Sequence, residues 1–592
     1  MSTSSVTDST SDSTPSDSTP SAQPPVTSDG ARGGTPAIAN ETEREPFFWL
    51  NDASRTFLRR GYLLEGTGPE ERVRQIADHA ESILGVDGFA DKFYDYMSRG
   101  YYSLASPVWS NFGLNRGLPI SCFGSYIGDS MEGILDTHAE VGMMTKVGGG
   151  TSGYFGDIRP RGAEITNNGT SNGTYPFAQL FDKIITVVSQ GETRRGHFAG
   201  YIDIEHPDVE EWLKIQTEGN AIQTMYYGIV VGDAWMESMI EGDADKRALW
   251  AKVIEARMNT GIPYLLFRDN VQRGRPEVYK DKDYRVLASN LCSEIALPAT
   301  PDESFVCCLS SMNALHYDDW KNTDAVETLT FFLDAVMQEF IEGAKGIKHM
   351  ERAVRFARRH RAIGIGILGW HSYLQSNMIP FESVEAQSTG ATIAKTIKER
   401  SYAASADLAD RFGEPEMLEG YGRRNTTTMA VAPTKSSSFI LGQVSPSIEP
   451  LQSNYYVQDR AKMKITYKNP YLVELLEEKG ANTPETWDEI ALRDGSVQHL
   501  DILTQEEKDV FKTFSEISQM EIVRQAAARQ KHIDQSQSLN LAIDPNSTAV
   551  KDINKLYIEA WKSGVKSLYY QNGVNAAQSF SRDLLACRSC EA

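Results

Sequence analysis

Asn290-Leu291-Cys292-Ser293-Glu294 sets an amide, a thiol and a carboxylate at alternate positions of the chain. In an extended backbone, alternate side chains share one face, with the outer two about 6.6 Å from the cysteine along the strand. Three such groups can surround one small substrate ring. A carboxylate can act as general base on a hydroxyl, an amide can hold a second hydroxyl, and a thiol can serve as nucleophile, reductant or hydrogen-atom carrier. The pentapeptide alone leaves a plainer reading open: a buried structural cysteine with polar neighbours.

On either side of this segment, short β-type runs alternate with amphipathic helical stretches. Tyr227-Gly228-Ile229-Val230-Val231 and Thr428-Met429-Ala430-Val431 are the runs, and residues 325–342 and 386–412 are two of the helices. That alternation predicts an α/β domain around a buried sheet. Residues 46–118 open with Pro46-Phe47-Phe48-Trp49-Leu50 and read as mostly helical, with residues 70–84 carrying apolar side chains at helical spacing. Residues 1–45 are Ser, Thr, Pro, Asp and Gly with almost no large apolar side chains, a composition that cannot repay the entropy of ordering. Residues 575–592 form a second polar tail, ending in Cys587-Arg588-Ser589-Cys590-Glu591-Ala592.

A formal charge of −21 repels polyphosphate and argues against a nucleic-acid scaffold. No apolar run approaches the roughly 20 residues of a membrane helix, and no secretion signal opens the chain, so a cytoplasmic protein is expected. Its cysteines, Cys122, Cys292, Cys307, Cys308, Cys587 and Cys590, are too few for a disulfide scaffold in a chain of 592 residues. The terminal Cys-x-x-Cys has no second pair nearby to complete a zinc site, so redox work is the stronger reading and no metal site is expected.

Further segments carry chemistry-bearing residues. They are Leu104-Ala105-Ser106-Pro107, Pro119-Ile120-Ser121-Cys122, Gly128-Asp129-Ser130, Gly148-Gly149-Gly150-Thr151-Ser152-Gly153 and Asp157-Ile158-Arg159-Pro160-Arg161. Further along come Gln190-Gly191-Glu192-Thr193-Arg194-Arg195-Gly196, Cys307-Cys308-Leu309-Ser310-Ser311-Met312-Asn313, Pro433-Thr434-Lys435-Ser436-Ser437-Ser438 and Ser567-Leu568-Tyr569-Tyr570-Gln571-Asn572. Each has an ordinary explanation when taken singly. The glycine run lacks the Lys-Ser/Thr of a P-loop and could be a tight turn after a helix, arginines near carboxylates could be surface ion pairs, and adjacent tyrosines usually pack.

Together, and in this order, they resemble the large, catalytic subunit of class I ribonucleotide reductases, from about residue 46 to the end. The resemblance implies a ten-stranded α/β barrel of two five-stranded halves over residues 119–574, preceded by the helical domain, with the Cys292 segment capping a loop inside the barrel. It implies reduction of ribonucleoside diphosphates to 2′-deoxyribonucleoside diphosphates, with Cys292 as the thiyl-radical site, Glu294 as base at the 3′ hydroxyl and Asn290 as a hydroxyl-binding partner. Cys122 and Cys307 then resemble the pair that reduces the 2′ position and closes a disulfide, while Cys308 is read as a small buried apolar residue. Ser106, Ser121, Gly150, Pro433, Thr434, Lys435, Ser436 and Ser437 match substrate-binding positions, although some relatives carry an acidic residue where Lys435 stands. Hydroxyls and amides opening a helix suit phosphate.

Asp129, Ser130, Arg159, Arg194 and Arg195 match the effector residues through which ATP, dATP, dTTP or dGTP selects the next base. Tyr569 and Tyr570 resemble the pair that passes a radical from a metal-containing small subunit. Cys587 and Cys590 resemble the shuttle renewed by thioredoxin or glutaredoxin. A homodimer is implied. The usual N-terminal ATP-binding domain has no counterpart, so no overall-activity switch is expected in this chain. A cobalamin-dependent class II reductase, which takes its radical from adenosylcobalamin, is the nearest alternative. A catalytically silent nucleotide-binding regulator is a more distant one.

Overall fold

The computed structural model describes residues 44–189, 195–460, 463–544 and 548–573. The chain enters through three helices, α1 (Asp52–Arg59), α2 (Pro69–Leu84) and α3 (Phe89–Ser98). Helix α2 follows from its sequence: proline and two glutamates occupy its first turn, and Gly85 ends it at φ 61°. Val73, Ile76, Ala77, Ala80 and Leu84 form its buried stripe, each large side chain contributing about 1.5–3 kcal/mol of apolar burial. Arg72 is buried among them because its guanidinium donates to the carbonyls of Val108, Trp109 and Phe112, which ties α2 to the helix Ser106–Asn111. Phe93 of α3 stacks on Phe332 of the helix Ala325–Ala344 at 4.3 Å, joining the helical layer to the rest of the molecule.

The strands are β1 (Tyr102–Leu104), β2 (Cys122–Tyr126), β3 (Thr151–Tyr154), β4 (Phe198–Asp203), β5 (Tyr226–Val231), β6 (Tyr264–Phe267), β7 (Phe305–Asn313), β8 (Ile363–Leu368), the hairpin β9 (Tyr455–Arg460) and β10 (Met463–Lys468), β11 (Leu541–Ala542), β12 (Ser567–Leu568) and β13 (Gln571–Asn572). From β2 to β6 the five strands run parallel, each paired with the next, and helices such as Met131–Lys146, Tyr175–Val187 and Ala244–Thr260 make the crossovers. A second parallel series begins with β7 and β8, continues through bridges from Ile365 to Met429 and from Val431 to Gln537, and reaches β12 where Tyr569 N–H donates to the Leu539 carbonyl.

Antiparallel pairing joins the two series at both edges: β2 with β7, and β6 with β12. The result is the expected closed ring of ten, two halves of five, with β1 added outside it on β7. Strands buried on both faces explain the continuous apolar run of β5, all six residues of which are inside. The run at residues 428–431 takes part through single bridges at Met429 and Val431 rather than as a full strand.

A second apolar cluster lies outside the ring's core. Leu472, Leu476, Trp487, Ile490, Val497 and Phe511 pack together in the stretch that follows the hairpin. Among the described residues, no helix is long and apolar enough to cross a membrane.

Candidate active site

Cys292 lies on the connection between β6 and β7, and the partners of that connection place it inside the ring. The Tyr201 hydroxyl, from β4, donates to the Asn290 carbonyl at 2.7 Å. Gly228 of β5 makes room for that ring, because a Cβ there would stand 2.4 Å from the Tyr201 side chain. From the opposite half, the Ser538 and Ser567 hydroxyls and the Ser536 N–H donate to the carbonyls of Cys292, Ser293 and Glu294 at 2.5, 2.9 and 2.8 Å.

The segment is a turn, contrary to the extended backbone expected from its alternating pattern. Ser293 adopts φ 64°, and its N–H donates to the Asn290 carbonyl. A loop dipping into a closed barrel has no strand edge to pair with, so its carbonyls are satisfied by side chains and single N–H groups instead.

Glu294 is fully buried. Its Oε2 lies 3.1 Å from the Ser538 hydroxyl, while Oε1 has no hydrogen-bond partner. Burial pushes its pKa up to about 7, opposed by its own backbone N–H, the Asn290 amide and the Ser538 hydroxyl. A carboxyl held there can exchange a proton near neutrality. Asn290 also directs Nδ2 at the Cys122 sulfur from 3.6 Å.

Cys122 and Cys307 are cross-strand partners between β2 and β7, and both side chains are buried. Directly opposed antiparallel residues have Cα atoms about 4.5–5.5 Å apart, inside the range a disulfide spans. Gln535 Nε2 donates to the Cys307 sulfur at 3.5 Å, while burial holds that thiol well above its ordinary pKa. Cys308 alternates to the other face, where its thiol donates to the Leu333 carbonyl of the covering helix.

Tyr569 and Tyr570 directly follow β12. Their ring centroids are 4.3 Å apart, and the Cys292 thiol neighbours the buried Tyr569 phenol. Burial, with the neighbouring Cys292, pushes the Tyr569 phenol well above its usual pKa. Tyr264 at the start of β6 packs against both rings, at 4.7 and 5.2 Å.

Of the segments matched to substrate binding, those at Ser121 and Gly150 lie beside Cys122. Gly150 pairs with Cys122 on the neighbouring strand, its N–H donating to the Ser121 carbonyl at 2.6 Å, and the Ser121 hydroxyl is 3.7 Å from the Cys122 sulfur. In the glycine run, Gly149 has no room for a side chain, since a Cβ would stand 2.4 Å from the Phe123 ring. Thr434, after Pro433, turns at φ 51° to start the helix Lys435–Ile440, and its hydroxyl accepts from the Ser447 N–H. Ser436 and Ser437 are buried in that helix, and the Ser437 hydroxyl donates to the carbonyl of Leu104, two residues before the buried Ser106.

Farther out, Arg159 and Asp129 form an ion pair at 2.9 Å, and Ser130 caps the helix Met131–Lys146. Arg195 is exposed. Arg194, Cys587 and Cys590 lie outside the described residues.

Sequence reasoning passed over Tyr201, Tyr264, Gln535 and Ser538. The last two belong to Asp534-Gln535-Ser536-Gln537-Ser538, whose polarity reads as a surface loop although all five residues are buried. Among the traces visible in sequence are Ser536 and Ser538 at alternate positions, as on one face of a strand.

The family model for the ribonucleotide reductase barrel domain matches residues 120–246, 239–419 and 414–571, and that for the ribonucleotide reductase all-alpha domain matches residues 48–117. The solved class Id ribonucleotide reductase alpha subunit of Actinobacillus ureae superposes with a TM-score of 0.86 at 60% identity, covering 92% of this chain and 100% of that one. The ribonucleoside-diphosphate reductase large subunit of Invertebrate iridescent virus 3 is 34% identical across 87% of this chain and 92% of its own. The ribonucleoside-diphosphate reductase large chain of Schizosaccharomyces pombe is 29% identical across 92% of this chain and 76% of its own.

Proposed function

This chain belongs to the ribonucleotide reductase large-subunit family, and from that premise we propose how its residues divide the reduction of ribonucleoside diphosphates to 2′-deoxyribonucleoside diphosphates. One observation carries the assignment: the buried turn inside the ring sets Cys292 beside Tyr569 and Glu294 with its Oε1 unpartnered, while Asn290 of the same turn reaches Cys122, which faces Cys307.

An oxidising equivalent from a small subunit enters through Tyr570 and Tyr569 and leaves Cys292 as a thiyl radical. Cys292 takes the hydrogen from C3′, and Glu294 takes the proton of the 3′ hydroxyl while Asn290 holds a neighbouring hydroxyl. The 2′ hydroxyl departs as water, and Cys122 and Cys307 together supply two electrons and two protons as they become a disulfide. Glu294 then gives its proton back to the 3′ oxygen, and Cys292 returns its hydrogen to C3′ and is ready to pass the radical back. Cys587 and Cys590 renew the internal pair by thiol exchange, drawing on thioredoxin or glutaredoxin.

The phosphates sit at residues 433–437, with Lys435 as a counter-charge, and Ser106, Ser121 and Gly150 line the ribose side. Asp129, Ser130, Arg159, Arg194 and Arg195 bind the specificity effector. Beside them, the packed helices Met131–Lys146 and Tyr175–Val187 expose Met131, Leu135, Leu180 and Val187, an apolar face suited to the partner copy in a homodimer. The test is diphosphate reduction with and without a candidate small subunit and adenosylcobalamin. Turnover that needs the small subunit supports this reading, and turnover with adenosylcobalamin alone overturns it.

A further inference from the structure

The three carbonyls of the radical turn are each tied to the second half of the ring. Ser538 holds that of Cys292, Ser567 that of Ser293, and the Ser536 N–H that of Glu294. Ser567 lies two residues before Tyr569, so the strand that presents the phenol also fixes the turn that presents the thiol.

Of these anchors, Ser538 is the one that also reaches a titratable group. Its hydroxyl oxygen is 2.5 Å from the Cys292 carbonyl and 3.1 Å from Glu294 Oε2, and the residue is fully buried. A hydroxyl has one hydrogen, so it can serve only one of these acceptors at a time. We infer that Ser538 is a positioning residue whose hydrogen alternates between Glu294 and the Cys292 carbonyl, so that the protonation state of the base is felt at the peptide of the radical cysteine.

The two states follow from the acceptors. An ionised Glu294 is the stronger acceptor and draws the Ser538 hydrogen to Oε2. When Glu294 takes the substrate's proton, Oε1 is the oxygen with no other partner to receive it. Neutral Glu294 then competes weakly, and the Ser538 hydrogen turns to the Cys292 carbonyl. No proton leaves Ser538 in this exchange; only the O–H bond rotates. In a buried network such a reorientation changes the field at its neighbours without moving a heavy atom.

This inference rests on the proposed role of Glu294 as base. The experiment therefore pairs a catalytic readout with one that needs no turnover. In the complete enzyme, Ser538→Ala moves the acid limb of kcat/KM upward by about one pH unit, because a donor to a charged group is lost. From a limb near 7, this is about a fivefold loss at pH 7. Ser538→Thr, which keeps the hydroxyl, restores the limb. Ser538→Cys, which keeps the volume and weakens the donor, moves it in the same direction by less.

In the isolated subunit, the infrared carboxyl band that disappears in Glu294→Gln titrates at higher pH in Ser538→Ala. A limb and a band that stay in place in a folded Ser538→Ala protein overturn the inference. A wild-type enzyme that does not reduce diphosphates overturns the catalytic reading instead, and the infrared titration still decides the role of Ser538.

Discussion

Cys122 and Cys307 face each other across the antiparallel junction of β2 and β7, although 184 residues lie between them in sequence. Their opposition brings two thiols into disulfide range without any movement of the backbone. Incubation of reduced enzyme with substrate and small subunit, without external dithiol, is expected to yield a peptide disulfide between them by mass spectrometry. Replacing either by serine stops repeated turnover. Cys308→Ala, which removes a thiol from the opposite face, keeps turnover and costs about 1 kcal/mol of stability.

Replacing Glu294 by glutamine is expected to cut kcat by about 10²–10⁴, the usual contribution of a positioned acid or base. Initial rates across pH check its titration. In the wild type, the acid limb lies near 7, with activity rising as the carboxyl ionises.

The same substitution has an opposite effect on stability. The folded-state pKa of Glu294 is raised, so the folded protein holds the proton more tightly than the unfolded chain, and stability falls as pH rises from about 4.5 through 7. The burial costs about 1 kcal/mol at pH 5 and about 3 kcal/mol at pH 8. Glu294→Gln, which cannot ionise, is therefore expected to raise Tm more at pH 8 than at pH 5, as scanning calorimetry would show.

Tyr569→Phe and Tyr570→Phe are expected to abolish reduction while leaving substrate affinity within about twofold, because neither ring is among the groups assigned to the nucleotide. Equilibrium binding of a diphosphate separates the two effects. Lost binding in Tyr569→Phe would place the ring in the substrate site instead.

Asp129→Ala breaks an ion pair that is about one-third exposed on each side. Stability is expected to change by less than about 1 kcal/mol. The response of substrate preference to added effector should weaken while effector-free turnover persists, measured with competing diphosphates.

Local chemistry made part of this molecule readable from its sequence. The apolar spacing of residues 70–84 marks α2, whereas Cys307 is chosen over Cys308 only by the family resemblance. The number of strands could not be read, because several ring members have only two to six residues and two segments join by single bridges. The turn at Cys292 does not follow from its alternation of polar groups, which resembles a strand; only the family resemblance implies a loop there. Ser538 was hidden for a different reason: its value depends on acceptors 244 and 246 residues away. No local pattern encodes such a distance.

The ring reverses strand direction at only two joints, and the reacting groups divide between them. The β2/β7 joint carries Cys122 and Cys307, and the β6/β12 joint leads into Tyr569 and Tyr570. With five strands on each side, these joints are diametrically opposed. A thiol pair is a ready hydrogen-atom donor, and a tyrosyl radical that met it directly would be quenched before any substrate reacted. On the proposed roles the barrel is also an insulator: the oxidising pair and the reducing pair stand on opposite walls, and the turn between them is where the two circuits would close.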